Sequence, residues 1–219
     1  MSTNIRIQDL GKRFNREWLF DGITIDIAQH DVVAITGHNG SGKSTLLKII
    51  AGLQLPTNGS VSMSMLDKTI PTEEHYRYLA FASPYIELIE EYTLDELLDF
   101  YFHLKPLAPQ YTLAELPTLM LLEKSRKKEI RSFSSGMKQR LKLGLALFCN
   151  TPILILDEPT SHLDEQGKTW FYKNLEDLIG KKMILIASNQ KEETQYCTSS
   201  IDIPTFAFTH QTKKASTTR

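Results

Sequence analysis

The sequence predicts an α/β protein with a mostly parallel sheet, an N-terminal antiparallel β region and an inserted helical lobe. Three observations carry that prediction. An apolar, β-branched run at residues 32–35 breaks into a glycine-rich turn and then into the helix-forming run 46–50. A second wholly apolar run, 153–156, ends in two carboxylates, Asp157 and Glu158. Between these runs, residues 93–149 carry helical rather than strand periodicity.

Taken in order, residues 5–10 alternate as a strand, and 18–20 and 23–27 predict two more before the glycine turn, giving an antiparallel entry. Gly52, Pro56, Asn58 and Gly59 end the first helix and start a turn. Short strands are expected near 60–65 and 78–82. Thr93 with Glu96 is a capping-box signature, followed by Leu94, Leu97, Leu98, Phe100 and Tyr101 at helical spacing. Thr112 with Glu115 repeats the box after Pro106 and Pro109. Ser134, Ser135 and Gly136 open a further helix carrying Leu141, Leu145 and Phe148. Strand character returns at 153–156, 183–187 and 201–208. The expected organisation is one domain over 1–219: a core of 1–92 and 150–209, a helical lobe of 93–149, and a polar, basic, flexible tail of 210–219.

Composition narrows the function. A chain of 219 residues can bury a sizeable core. With 25 basic and 26 acidic residues it lacks the electrostatic footprint of a nucleic-acid binder. Its two cysteines, Cys149 and Cys197, form no metal-ligand pattern and no disulfide framework, which fits a reducing cytosol. The first residues lack the apolar core of a signal peptide, and no run reaches the roughly 18 apolar residues of a membrane span.

The glycine turn carries the chemistry. Gly37, Gly40 and Gly42 let the backbone curl so that amides from Gly37, His38, Asn39, Gly40, Ser41, Gly42, Lys43, Ser44 and Thr45 converge on an anion at a helix N-terminus. Lys43 reaches the β- and γ-phosphates and the Ser44 hydroxyl takes Mg²⁺, the arrangement of a P-loop NTPase that binds ATP. Ligands of open α/β sheets sit at the carboxyl ends of the strands. There Asp157 would help hold Mg²⁺ and Glu158 would polarise the attacking water.

Four motifs, at 37–44, 133–140, 153–160 and 161–164, follow one another in an order and spacing that resemble the ATPase subunit of an ABC transporter, over roughly residues 4–205. The second, Phe133-Ser134-Ser135-Gly136-Met137, is similar to a variant of export-type, haem-exporter-like members. The resemblance implies a head-to-tail dimer, with itself or with a paralogous ATPase subunit. In it Ser134, Ser135 and Gly136 of one subunit would touch the γ-phosphate held by the other, and Asp164 would reach across. It also implies an integral membrane transporter subunit docked near residues 85–91, so that the chain would work as a peripheral protein on the cytoplasmic face. Phe14 stands where similar proteins stack an aromatic on adenine; an ordinary core or surface aromatic is the alternative, with Trp18 in reserve.

Two family residues are missing. No glutamine occurs between Gln54 and Gln110, where similar proteins carry one that contacts Mg²⁺ or water. Glu87 could supply an oxygen or be a solvated charge. Asn189 stands in the place of the switch histidine; an amide can donate to a γ-phosphate but cannot relay a proton. Slow hydrolysis is the expectation, and the rival reading is a soluble ATP-gated regulatory switch.

Overall fold

In the computed structural model, residues 3–207 are described. The expected tail of 210–219 lies outside them. The described strands form two sheets.

The first sheet is antiparallel, in the order β2-β1-β4-β5, from β1 (Thr3–Phe14), β2 (Glu17–Ala28), β4 (Asn58–Met65) and β5 (Lys68–Ile70). The two strands expected between residues 18 and 27 are one. Pairing with β1 runs from Ala28 back to Glu17, and the irregularity is absorbed by register shifts around Leu10 and by Gly22 at φ +80°. The three-residue edge strand β5 is too short and polar to be read from pattern.

The second sheet is wholly parallel, β6-β7-β8-β3-β9, from β3 (Val32–Thr36), β6 (Leu79–Ala82), β7 (Ile153–Asp157), β8 (Met183–Ala187) and β9 (Ser199–Asp202). The expected strand 201–208 stops early because Pro204, which has no N–H to pair, turns the chain into a 3₁₀ segment, Ile203–Phe206. Residue 208 lies outside the described residues.

Strands β7 and β8 are buried on both faces, which is why they read as unbroken apolar runs. Their residues alternate between two cores. Leu154, Leu156, Ile184 and Ile186 pack with Leu94, Leu98, Leu141 and Phe171; Ile153, Ile155, Met183 and Leu185 pack with Ile5, Ile7, Phe20 and Leu46. One face of the parallel sheet thus carries α1 (Lys43–Ile50) and the antiparallel sheet. The other carries the helical segment that leaves β6 and returns at β7.

That segment contains α2 (Leu94–Leu104), α3 (Leu116–Leu119) and α4 (Ser135–Leu147). The Thr93–Glu96 capping box forms as read. The second expected box forms only in half: the Thr112 amide and hydroxyl donate to the Glu115 carboxylate at 2.9 and 2.6 Å, but the Glu115 amide donates to the Thr112 carbonyl rather than to its side chain, and the four-residue α3 follows without a side-chain cap. Leu121, at φ +58°, turns the chain away there. An unanticipated helix, α5 (Glu165–Glu176), follows β7, and α6 (Lys191–Thr194) follows β8.

Candidate nucleotide-binding site

Strand β3 delivers the glycine loop to the carboxyl end of the parallel sheet. Gly37 (φ +139°) and Gly42 (φ +110°) take conformations closed to L side chains, and a Cβ on Gly42 would lie 2.6 Å from Leu19 Cδ2. Gly42 then caps α1, whose first amides stay free to meet an anion. Lys43 is buried and folds back, its Nζ donating to the Gly37 carbonyl at 2.8 Å and to that of His38 at 3.3 Å. Its ammonium thus lies within the curl of the loop, where it could meet a phosphate.

The loop and the carboxylate strand meet. Ser44 Oγ donates to Asp157 Oδ1 at 3.0 Å across the sheet, while Asp157 Oδ2 accepts from Ser83 Oγ at 3.1 Å. Burial holds the Asp157 carboxyl above its ordinary range; hydrogen bonds from the two hydroxyls offset only part of that rise, and Glu158 beside it adds to it. Glu158 is half-buried at φ +44°, a strained conformation for a side chain that branches away from backbone. Its amide donates to the Ala187 carbonyl at 2.9 Å, which holds it there. Ser161 Oγ donates to its Oε2 at 3.5 Å.

Phe14, Asn39, Gly40, Gly42, Lys43, Ser44, Thr45 and Glu158 line one cavity of about 390 Å³. Leu19 and Tyr85 complete it; neither was singled out for nucleotide contact from sequence. Phe14 is half exposed at the rim, with the Lys12 ammonium 5.0 Å from its ring centroid. Trp18 carries the Arg13 guanidinium at 5.4 Å instead. His38 is exposed beside Asn39, and Ser41 is buried beneath the loop with an Oγ that has no partner among the described residues. Asn189, just past β8, donates from Nδ2 to Asn39 Oδ1 at 3.2 Å.

Of the predicted residues outside that lining, Gly37, His38 and Ser41 belong to the same loop, and Asp157 and Asn189 are bonded to the lining residues Ser44 and Asn39, whereas Ser134, Ser135, Gly136 and Asp164 lie elsewhere. Ser134 caps α4 by accepting from the Met137 amide at 3.3 Å, and Ser134 and Ser135 are exposed. Gly136 lies against the His162 carbonyl. Asp164 caps α5, accepting from the Gly167 amide at 2.7 Å. Within one chain these residues form a separate surface near the loop after β7.

Ser83 and Glu193 were also missed by sequence reading. Glu193, on α6, is fully buried and accepts from both the amide, at 2.8 Å, and the hydroxyl of Thr160. It thereby ties the segment carrying Asn189 to the loop after Glu158. Glu87 is exposed and lies in a groove of about 520 Å³ with Tyr85, Glu90, Lys138 and Lys142. Lys138 donates to Glu90 and Lys142 to the Pro84 carbonyl, joining α4 to this segment.

A family model described as ABC transporter matches residues 20–161. The Nod factor export ATP-binding protein I of Burkholderia thailandensis is 29% identical over 200 residues, 88% of this chain; the chain spans 65% of that relative's length. The lantibiotic transport ATP-binding protein SrtF of Streptococcus pyogenes is 30% identical over 198 residues, 88% of this chain and 82% of that protein. A dimeric ATP-binding cassette, in a post-hydrolysis state bound to ADP and Pi, shares the fold with a TM-score of 0.77 at 21% identity, over 90% of this chain and 93% of that one.

Proposed function

The chain belongs to the ABC transporter family as an ATP-binding cassette, and on that premise we propose that it binds and hydrolyses ATP in a head-to-tail dimer that drives a separate membrane subunit, in export. The observation that carries the reading is the 3.0 Å contact between Ser44 and Asp157, with Glu158 as the next residue. It joins the glycine loop to the strand end over which a γ-phosphate would lie.

Loop amides and Lys43 hold the phosphates, and Phe14 stacks at the rim of the cavity on the base. Hard oxygens from Ser44 and the buried Asp157 fit Mg²⁺, which when bound would neutralise charge on the β- and γ-phosphate oxygens. Glu158 accepts a hydrogen bond from the attacking water. The water oxygen bonds to the γ-phosphorus, the bond to the β–γ bridging oxygen breaks, and ADP and phosphate leave.

Ser134, Ser135, Gly136 and Asp164 stand away from their own chain's cavity and exposed or at helix starts, which supports a role on the ATP of a second subunit. The Nod factor relative carries export in its name, which supports export, and the lantibiotic relative carries transport. No helix among the described residues is long and apolar enough to cross a membrane. The membrane subunit would dock in the groove formed by residues 84–90 with Lys138 and Lys142, holding the chain at the cytoplasmic face.

The bond between Asn189 and Asn39 favours a second reading, an ATP-gated switch with slow turnover. One experiment separates the two: steady-state ATPase activity with Mg²⁺, alongside Glu158→Gln, with dimerisation followed by size-exclusion chromatography. Turnover abolished by Glu158→Gln, with an ATP-trapped dimer, supports the motor. Dimerisation with negligible wild-type turnover supports the switch, and no ATP-dependent dimer in either protein rejects both.

A further inference from the structure

Asp157 ends β7 wholly buried, and its two oxygens are held from opposite sides of the sheet position, Oδ1 by Ser44 and Oδ2 by Ser83. Ser83 is 1% exposed and directly follows β6. Parallel pairing sets Ala82 beside Leu156, so the next residue of each strand, Ser83 and Asp157, fall together. Ser83 Oγ gives its one proton to Asp157 and accepts the Tyr85 amide at 3.3 Å. The torsion that rotates a carboxylate is soft, so a single bond to one oxygen does not fix its plane. Bonds at both oxygens do. When Ser44 turns its lone pairs to a cation, Ser83 is the hydroxyl that still holds Asp157.

We propose that Ser83 is a positioning residue for the magnesium–nucleotide complex, acting through Asp157 by fixing the plane of its carboxylate. This rests on the nucleotide-site reading above. Groups that orient a metal ligand commonly set metal affinity by tenfold or more. Glu87 is exposed in the groove and is not among the residues lining the nucleotide cavity.

The test uses the full chain with ADP and Mn²⁺ as the probe, free and bound Mn²⁺ being counted by electron paramagnetic resonance. Metal-free ADP affinity is measured in chelator. Ser83→Ala is expected to weaken Mn²⁺ binding on the order of tenfold and to leave metal-free ADP affinity unchanged. Ser83→Thr, which keeps the hydroxyl, is expected to retain Mn²⁺ affinity. Ser44→Ala serves as the control. If Ser44→Ala weakens Mn²⁺ binding and Ser83→Ala does not, the inference is wrong while the site stands. Equal losses of Mn²⁺ and metal-free ADP affinity in Ser83→Ala, or a Thr variant as weak as Ala, also overturn it, since the hydroxyl then does nothing specific for the metal. If wild type binds neither ADP nor Mn²⁺–ADP, the nucleotide-site reading fails and takes the inference with it.

Discussion

Asn189 Nδ2 donates to Asn39 Oδ1 at 3.2 Å, so the segment just past β8 touches the phosphate loop itself. An amide at that point can orient a phosphate oxygen but can neither carry charge nor pass a proton. Asn189→His is therefore expected to raise the turnover of Mg²⁺–ATP by about tenfold or more, a modest share of what positioned acid–base groups contribute. Phosphate release at saturating ATP checks it. Unchanged turnover would show that the amide already suffices.

Glu193 and Thr160 form a buried clamp in which one carboxylate oxygen takes two donors. Its other oxygen, Oε2, has no partner among the described residues. Glu193→Ala strands the amide and hydroxyl of Thr160 in the interior, at a cost of about 3 kcal/mol. Urea unfolding of the two proteins measures this, and a loss below about 1 kcal/mol would mean that water or a neighbour takes over both donors.

Lys182 is buried at the start of β8 and donates to the Cys149 carbonyl at 2.6 Å. Burial pushes its ammonium down from 10.5 to about 8. Between those values the unfolded chain holds the proton and the folded chain has lost it, so the contribution of this group to stability rises with pH. The stability of wild type relative to Lys182→Met is expected to increase between pH 8 and 10.5, by up to about 3 kcal/mol. Denaturant unfolding of both proteins across that range reads the difference. A flat difference would sink the assignment.

Gly42 combines φ +110° with a neighbour, Leu19, that leaves no room for a Cβ. Gly42→Ala is expected to cost about 2 kcal/mol of stability from backbone strain alone and to abolish detectable ATP binding. Both are measurable, by thermal unfolding and by calorimetric titration. Retained affinity would show that the loop has a second way to curl.

Some of the molecule was legible because the features concerned are contiguous. The glycine loop, the capping box at Thr93 and the apolar strand ending in Asp157 are each written in fewer than ten successive residues, where backbone conformation follows from local sterics and hydrogen bonding. Where the chain's path depends on a distant partner, local signals misled. The break expected between residues 20 and 23 vanished because β1 supplies pairing on both sides of it. The box at Thr112 formed only its carboxylate half, with no long helix behind it.

The sequence by itself determined the α/β class, the phosphate loop and the two carboxylates beside it. Only the tertiary structure decided what surrounds them: Ser83 on Asp157, Glu193 on Thr160, Asn189 on Asn39, and Leu19 and Tyr85 in the walls of the cavity. The physical reason is register. Parallel strands are joined by long crossovers, so residues that end up at neighbouring strand ends are separated along the chain by whole helices. Which side chains meet there is settled by how the sheet's two apolar faces are buried, and no local stretch of sequence records that outcome.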